Sequence, residues 1–232
     1  MIMNMPNGML TYIFAAVFAL SSMRAAGLPE NARLAAVRYE PVFSVSELGA
    51  EGFARIDGAS WKDGCPVPAG DLRLLRLTYA GFDGFSHTGE LICHYKVSDE
   101  LLEIFRELYE IGFPIERVRL IDAYGADDAL SMEDNNTSAF NYRTVSGTSR
   151  LSMHAYGLAV DINPVQNPYV EGGGSYVSPQ GGRDYLDRGD VRPGMIVRGD
   201  AAHGAFASRG WAWGGDWKYQ IDYQHFQKNV EI

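Results

Sequence analysis

A chain of 232 residues suits one sizeable domain and is short for two. Its 46% hydrophobic and 12% aromatic content can fill a packed core, and glycine and proline are scattered without a fibrous period. A net charge of -9 argues against a general nucleic-acid or anionic-membrane partner, because both require a basic face that displaces counterions.

The chain opens with an apolar run from Met9 to Leu20 followed by small residues, the layout of a secretory signal peptide over residues 1–26. That leaves residues 27–232 as a single periplasmic or secreted domain. The run is too short to span a bilayer comfortably, so no stable membrane span is expected after processing; a buried N-terminal helix is the alternative. Cys65 and Cys93 lie in no zinc spacing, and an even count in an exported chain favours a disulfide between them over two buried free thiols.

From Val45 to Ile56 the pattern suits a helix capped by Ser44 or Ser46. "LRLLRLTYAGFDG" reads as a strand entering a Gly-rich turn, and "ELICHYKV" alternates as its hairpin partner. Ser98 then caps a helix whose Leu101, Ile104, Phe105 and Leu108 form one apolar stripe and which Pro114 stops. "IERVRLIDAYG" reads as another strand, and a polar loop runs from Gly125 to Arg150. A second long loop, Asn163 to Gly199, is rich in Gly, Pro and Asp and reads as an insertion over one face. Asp200 caps a short helix that Gly210 ends. The order of elements predicts an α+β fold, mainly antiparallel sheet with flanking helices.

In "SMHAYGLAVDI", Asp161 stands between Val160 and Ile162, and an ionised carboxylate so placed needs a partner or a metal. A turn through Gly157 lets His154 fold back towards it. A catalytic zinc site takes three protein ligands, and "DYQHF" offers His225, with Asp222 three residues earlier where a general base could stand. The bland readings are a satisfied histidine at a strand end and an aspartate that caps a turn. His87, His94 and His203 read as structural or exposed.

These two segments, "SMHAYGLAVDI" and "GWAWGGDWKYQIDYQHF", resemble the zinc D-alanyl-D-alanine carboxypeptidase family, which includes D-Ala-D-Ala dipeptidases and the L-alanyl-D-glutamate endopeptidases of phage lysins. The resemblance implies a zinc domain of the hedgehog and D-Ala-D-Ala peptidase type. It implies one zinc ion per chain on His154, Asp161 and His225, with Asp222 as general base. Arg143, in "FNYR", matches an arginine that helps bind the scissile carbonyl or its oxyanion. Many members carry Glu where Asp222 stands, and Asp is typical of the endopeptidase-like branch. The implied substrates are peptidoglycan stem peptides, cut next to a D-amino acid. Ser152 either orients the site through its hydroxyl or caps the turn. Trp211, Trp213 and Trp217 divide between core anchors and a wall of the cleft, with Trp213 assigned to the wall. The rival reading is a non-catalytic zinc module, because the hedgehog signalling domain is similar and acts through partners. The oligomeric state stays open.

Overall fold

The longest ladder is the hairpin of β2 (Leu72–Ala80) and β3 (Ser86–His94), which pair antiparallel over their full length, from Leu72 opposite His94 to Ala80 opposite Ser86. The computed structural model describes residues 39–232, so the expected signal peptide lies outside the described residues. β1 (Phe43–Glu47) lines the other edge of β2. The helix expected from Val45 to Ile56 is therefore corrected to a strand followed by a short helix, α1 (Gly49–Ala54). Phe43 and Val45 alternate onto the core, and their backbone satisfies the open edge of β2, which a helix here could not do.

α2 (Tyr95–Glu110) starts where β3 ends. Residues 95–97, expected to prolong the strand, form its first turn, and the cap is His94 rather than Ser98. The Nδ1 of His94 accepts from the Lys96 N–H at 3.1 Å, while the Ser98 hydroxyl, buried within the helix, donates to the Tyr95 carbonyl at 3.0 Å. The expected stripe of Leu101, Ile104, Phe105 and Leu108 packs on Leu75, Leu77, Leu91 and Cys93. The opposite face of the sheet carries Leu72 and Ile92 into a second cluster with Ile56, Val67, Leu120 and Phe140, against which Cys65 packs.

That two-sided packing corrects the expected disulfide. Both cysteines are free, because strand alternation sends Cys93 into the α2 side of the sheet while Cys65 packs on the other. Burial pushes the Cys93 thiol up, which keeps it protonated.

Of "IERVRLIDAYG" only β4 (Arg117–Val118) is strand, and a 3-10 turn, Ile121–Tyr124, follows it. The loop from Gly125 to Arg150 contains α3 (Asp128–Glu133) and β5 (Asn136–Thr137), which pairs parallel with β4. Two further antiparallel sheets build the C-terminal half. β11 (His225–Gln227) lies between β6 (Ala159–Asp161) and β9 (Ala212–Trp213), and β7 (Tyr169–Glu171) lies between β8 (Tyr176–Ser178) and β10 (Gln220–Asp222). The segment from Asn163 to Gly199 thus folds partly as a β7–β8 hairpin. Arg188 pins it by donating to the Gln166 carbonyl, Asn167 Oδ1 and the Ile196 carbonyl. α4 (Ala201–Ala207) is capped by Asp200, whose Oδ1 accepts from the His203 N–H, as its sequence predicts. The named sheets are antiparallel apart from the β4–β5 pair, so the α+β expectation holds. Among the described residues no helix is long and apolar enough to cross a membrane.

Candidate metal centre

His154 lies on a 3-10 turn, Met153–Tyr156, which Ser152 caps: its Oγ accepts from the His154 N–H at 3.3 Å. The turn closes at Gly157, whose φ is +66° and whose missing Cβ would stand 2.7 Å from the backbone N of His94. Only glycine meets both demands. The Gly157 carbonyl accepts from that same His94 N–H at 2.9 Å, which ties the turn to the end of β3.

Asp161 and His225 are direct partners in the β6–β11 ladder and therefore share a face. The Nδ1 of His225 lies 2.9 Å from Asp161 Oδ1, the Nε2 of His154 lies 3.1 Å from Asp161 Oδ2, and the two nitrogens are 3.1 Å apart. All three residues are buried, and one ligand atom from each falls within 4.8 Å of the others. The outer nitrogens are already committed. His154 Nδ1 donates to the Ala139 carbonyl at 2.5 Å and His225 Nε2 donates to Gln227 Oε1 at 3.1 Å. Two imidazole lone pairs and a carboxylate then face one another, and one cation satisfies all three at once. Two histidines and an aspartate form a zinc-type donor set, so the residues fit the metal.

The same convergence sets the charges. Burial opposes ionisation of Asp161, but His154 and His225 outweigh it and hold the carboxyl far below its usual range. Burial alone would lower His225, yet the Asp161 hydrogen bond and charge raise it.

Asp222 ends β10, and the backbone at Gly214 makes room for it, since a Cβ there would meet the Asp222 carbonyl oxygen at 2.5 Å. The Oδ1 of Asp222 is enclosed without a hydrogen-bond partner among the described residues. Burial, then the Asp161 charge, push this carboxyl up to about 7, while His225 and Arg143 draw it down. A group so poised can take up and return a proton near neutrality.

Arg143 belongs to the same electrostatic neighbourhood. One guanidinium nitrogen pairs with Asp128 Oδ2 at 2.9 Å, and its buried Nε has no partner among the described residues. Arg143 also acts on the charge of Asp222, as Asp128 does. Ser152 is buried with its hydroxyl turned to the His154 turn, so the structure places it as a support of that turn.

Trp213, assigned to the cleft wall from sequence, lies in the core, with its Nε1 donating to the Tyr223 carbonyl at 2.8 Å and its ring stacked on Phe226. Trp211 is buried as well, and Trp217, 39% exposed with its ring 5.4 Å from that of His225, is the tryptophan beside the centre. The sequence reading also missed Gln227, Asp128 and the Ala139 carbonyl. Gln227 had a signal, since it stands two places after His225 and so on the same strand face. Asp128 and Arg143 both fall in the segment that reads as one polar loop, where no spacing pairs them, and the Ala139 group is backbone, so neither had one.

Residues 146–228, which hold all three candidate ligands and Asp222, match the family model described as D-alanyl-D-alanine carboxypeptidase. No curated protein and no solved structure matches the chain.

Proposed function

We propose, because residues 146–228 match the model of the D-alanyl-D-alanine carboxypeptidase family, that this protein is a zinc peptidase acting outside the cytoplasm on peptidoglycan stem peptides. The bond cut lies next to a D-amino acid, in a carboxypeptidase or an L-Ala-D-Glu type of endopeptidase reaction. What carries the reading is the buried convergence of His154, Asp161 and His225 with a protonatable Asp222 beside them.

Zinc held by His154, Asp161 and His225 would supply Lewis acidity to the scissile carbonyl and to the attacking water. Asp222, whose Oδ1 has no hydrogen-bond partner among the described residues, accepts the proton of that water and returns it to the departing amine. Arg143, with donors to spare beyond its Asp128 pair, steadies the negative charge that grows on the carbonyl oxygen. The buried wall around the three ligands keeps bulk water from competing for them. Asp222 also favours catalysis over a purely binding zinc module, which has no use for a base.

Two variants separate the roles. His225→Ala should lose zinc, whereas Asp222→Asn should keep zinc and melting temperature while turnover falls by roughly 10² to 10⁴. Elemental analysis and kcat on a stem peptide give the two readouts, and mass spectrometry of digested muropeptides identifies the bond. Near-native turnover in Asp222→Asn would place the base elsewhere. Zinc binding without any release of amino groups by the wild type would favour the binding module.

A further inference from the structure

The register of the β10–β7–β8 sheet places six side chains on one face. Tyr169 lies opposite both Asp222 and Ser178, and Glu171 lies opposite both Gln220 and Tyr176. Paired residues share a face and alternate ones along a strand return to it, so Asp222, Gln220, Tyr169, Glu171, Tyr176 and Ser178 stand together. The intervening residues, Val170, Val177 and Ile221, turn to the other face, where the two valines are buried. The proposed base is therefore one corner of a platform that the β7–β8 hairpin extends away from the metal ligands.

The chemistry of that platform is one-sided. It holds two carboxylates and two phenols, and none of its six residues is a Lys or Arg. Tyr169 donates to Glu171 Oε2 at 3.2 Å, which leaves the rest of that exposed carboxylate open, and the rings of Tyr169 and Tyr176 meet edge to face at 6.1 Å. Tyr176 is half exposed. Burial, Glu171 and Asp222 push the Tyr169 phenol up to about 12, so it remains a neutral donor with an electron-rich ring. Arg183, the cation bonded to the hairpin tip, is occupied by Gln180 and by the carbonyls of Gly174 and Ser175.

We propose that this face is a subsite for an alkylammonium group of the substrate, with Glu171 as its counter-ion and Tyr169 and Tyr176 as aromatic walls. Ammonium groups bind favourably over tyrosine rings, and a carboxylate beside the rings adds direction. The subsite deepens the peptidase reading and rests on it, naming a lysine-type diamino residue as the part of the peptide held beside the cut.

The test uses the full chain with zinc and two peptides of stem type that differ only in a free or an acetylated lysine side-chain amine. Binding is followed by calorimetry and cleavage by kcat/KM. The free-amine peptide should bind roughly 10-fold more tightly. Glu171→Gln and Tyr176→Ala should reduce that preference, with zinc content and activity on the acetylated peptide unchanged. Equal binding of the two peptides, no binding of either, or a preference that survives Glu171→Gln would overturn the subsite. A preference in binding without cleavage of either peptide would retain the subsite and reject the peptidase, whereas cleavage of both without preference would do the reverse.

Discussion

His154 and His225 each turn one ring nitrogen to the candidate metal site and use the other to set which nitrogen carries the proton. For His154 the acceptor is the Ala139 backbone carbonyl, beyond the reach of substitution, but for His225 it is the Gln227 side chain. Without an acceptor on Nε2, the proton of His225 is free to move to Nδ1, where it would block the lone pair that faces the site. Groups that orient a ligand in this way commonly contribute about 10- to 100-fold in metal affinity. Gln227→Leu should weaken zinc binding by that factor in a chelator-competition titration, and Gln227→Glu should restore it. An unchanged affinity in the leucine variant would show that some other contact sets the ring.

At the scale of elements, the decisive piece is the turn from Ser152 to Gly157, which delivers His154 to the end of β6. Gly157 is required by conformation and by space together: its φ is +66°, and an added Cβ would meet backbone atoms of His94 and Cys93 at 2.7 and 3.2 Å. Backbone cannot rotate aside as a side chain can. Gly157→Ala should therefore cost more than the roughly 1 kcal/mol of a glycine-to-alanine change that is strained by backbone angle alone. Gly125 supplies the control, with φ +64° and nothing within 4 Å of its added Cβ. Urea unfolding of the two variants should find Gly157→Ala the less stable and the poorer zinc binder. Equal losses would mean that the β3 backbone yields.

For the molecule as a whole, the candidate metal site joins parts of the chain that no local interaction brings together. His154 comes from a 3-10 turn, Asp161 from β6 and His225 from β11, which closes on β6 only after the β7–β8 hairpin and α4 have intervened. A cation that binds only this assembled set stabilises the folded state by mass action, by about 2.7 kcal/mol when free zinc is 100 times the dissociation constant. Thermal unfolding should thus shift upward with zinc and downward with chelator, and the shift should vanish in His225→Ala. A zinc-dependent shift of full size in that variant would place the stabilising ion at another site.

Much of this was legible in the linear sequence, wherever the cause of a structure lies among neighbours. The alternation and Gly-rich turn of residues 72–94 specified the hairpin, the helical stripe from Leu101 to Leu108 specified α2, and Asp200 specified the cap of α4. The spacing in "SMHAYGLAVDI" and "DYQH" also pointed to the three residues that converge. What needed the tertiary structure were pairings between distant segments. Residues 43–47 became strand because β2 offers an unfilled edge, and Tyr169 reached Asp222 because β7 pairs with β10. The same holds for the side of a wall on which a group falls. Cys65 and Cys93 remain free because a sheet stands between their packing faces, and Trp217 rather than Trp213 borders His225 because Trp213 is drawn into the core with Phe226. Local spacing records which face of its own element a side chain takes, whereas the neighbour that covers that face is settled only when open backbone edges and apolar surfaces from far along the chain compete for one another.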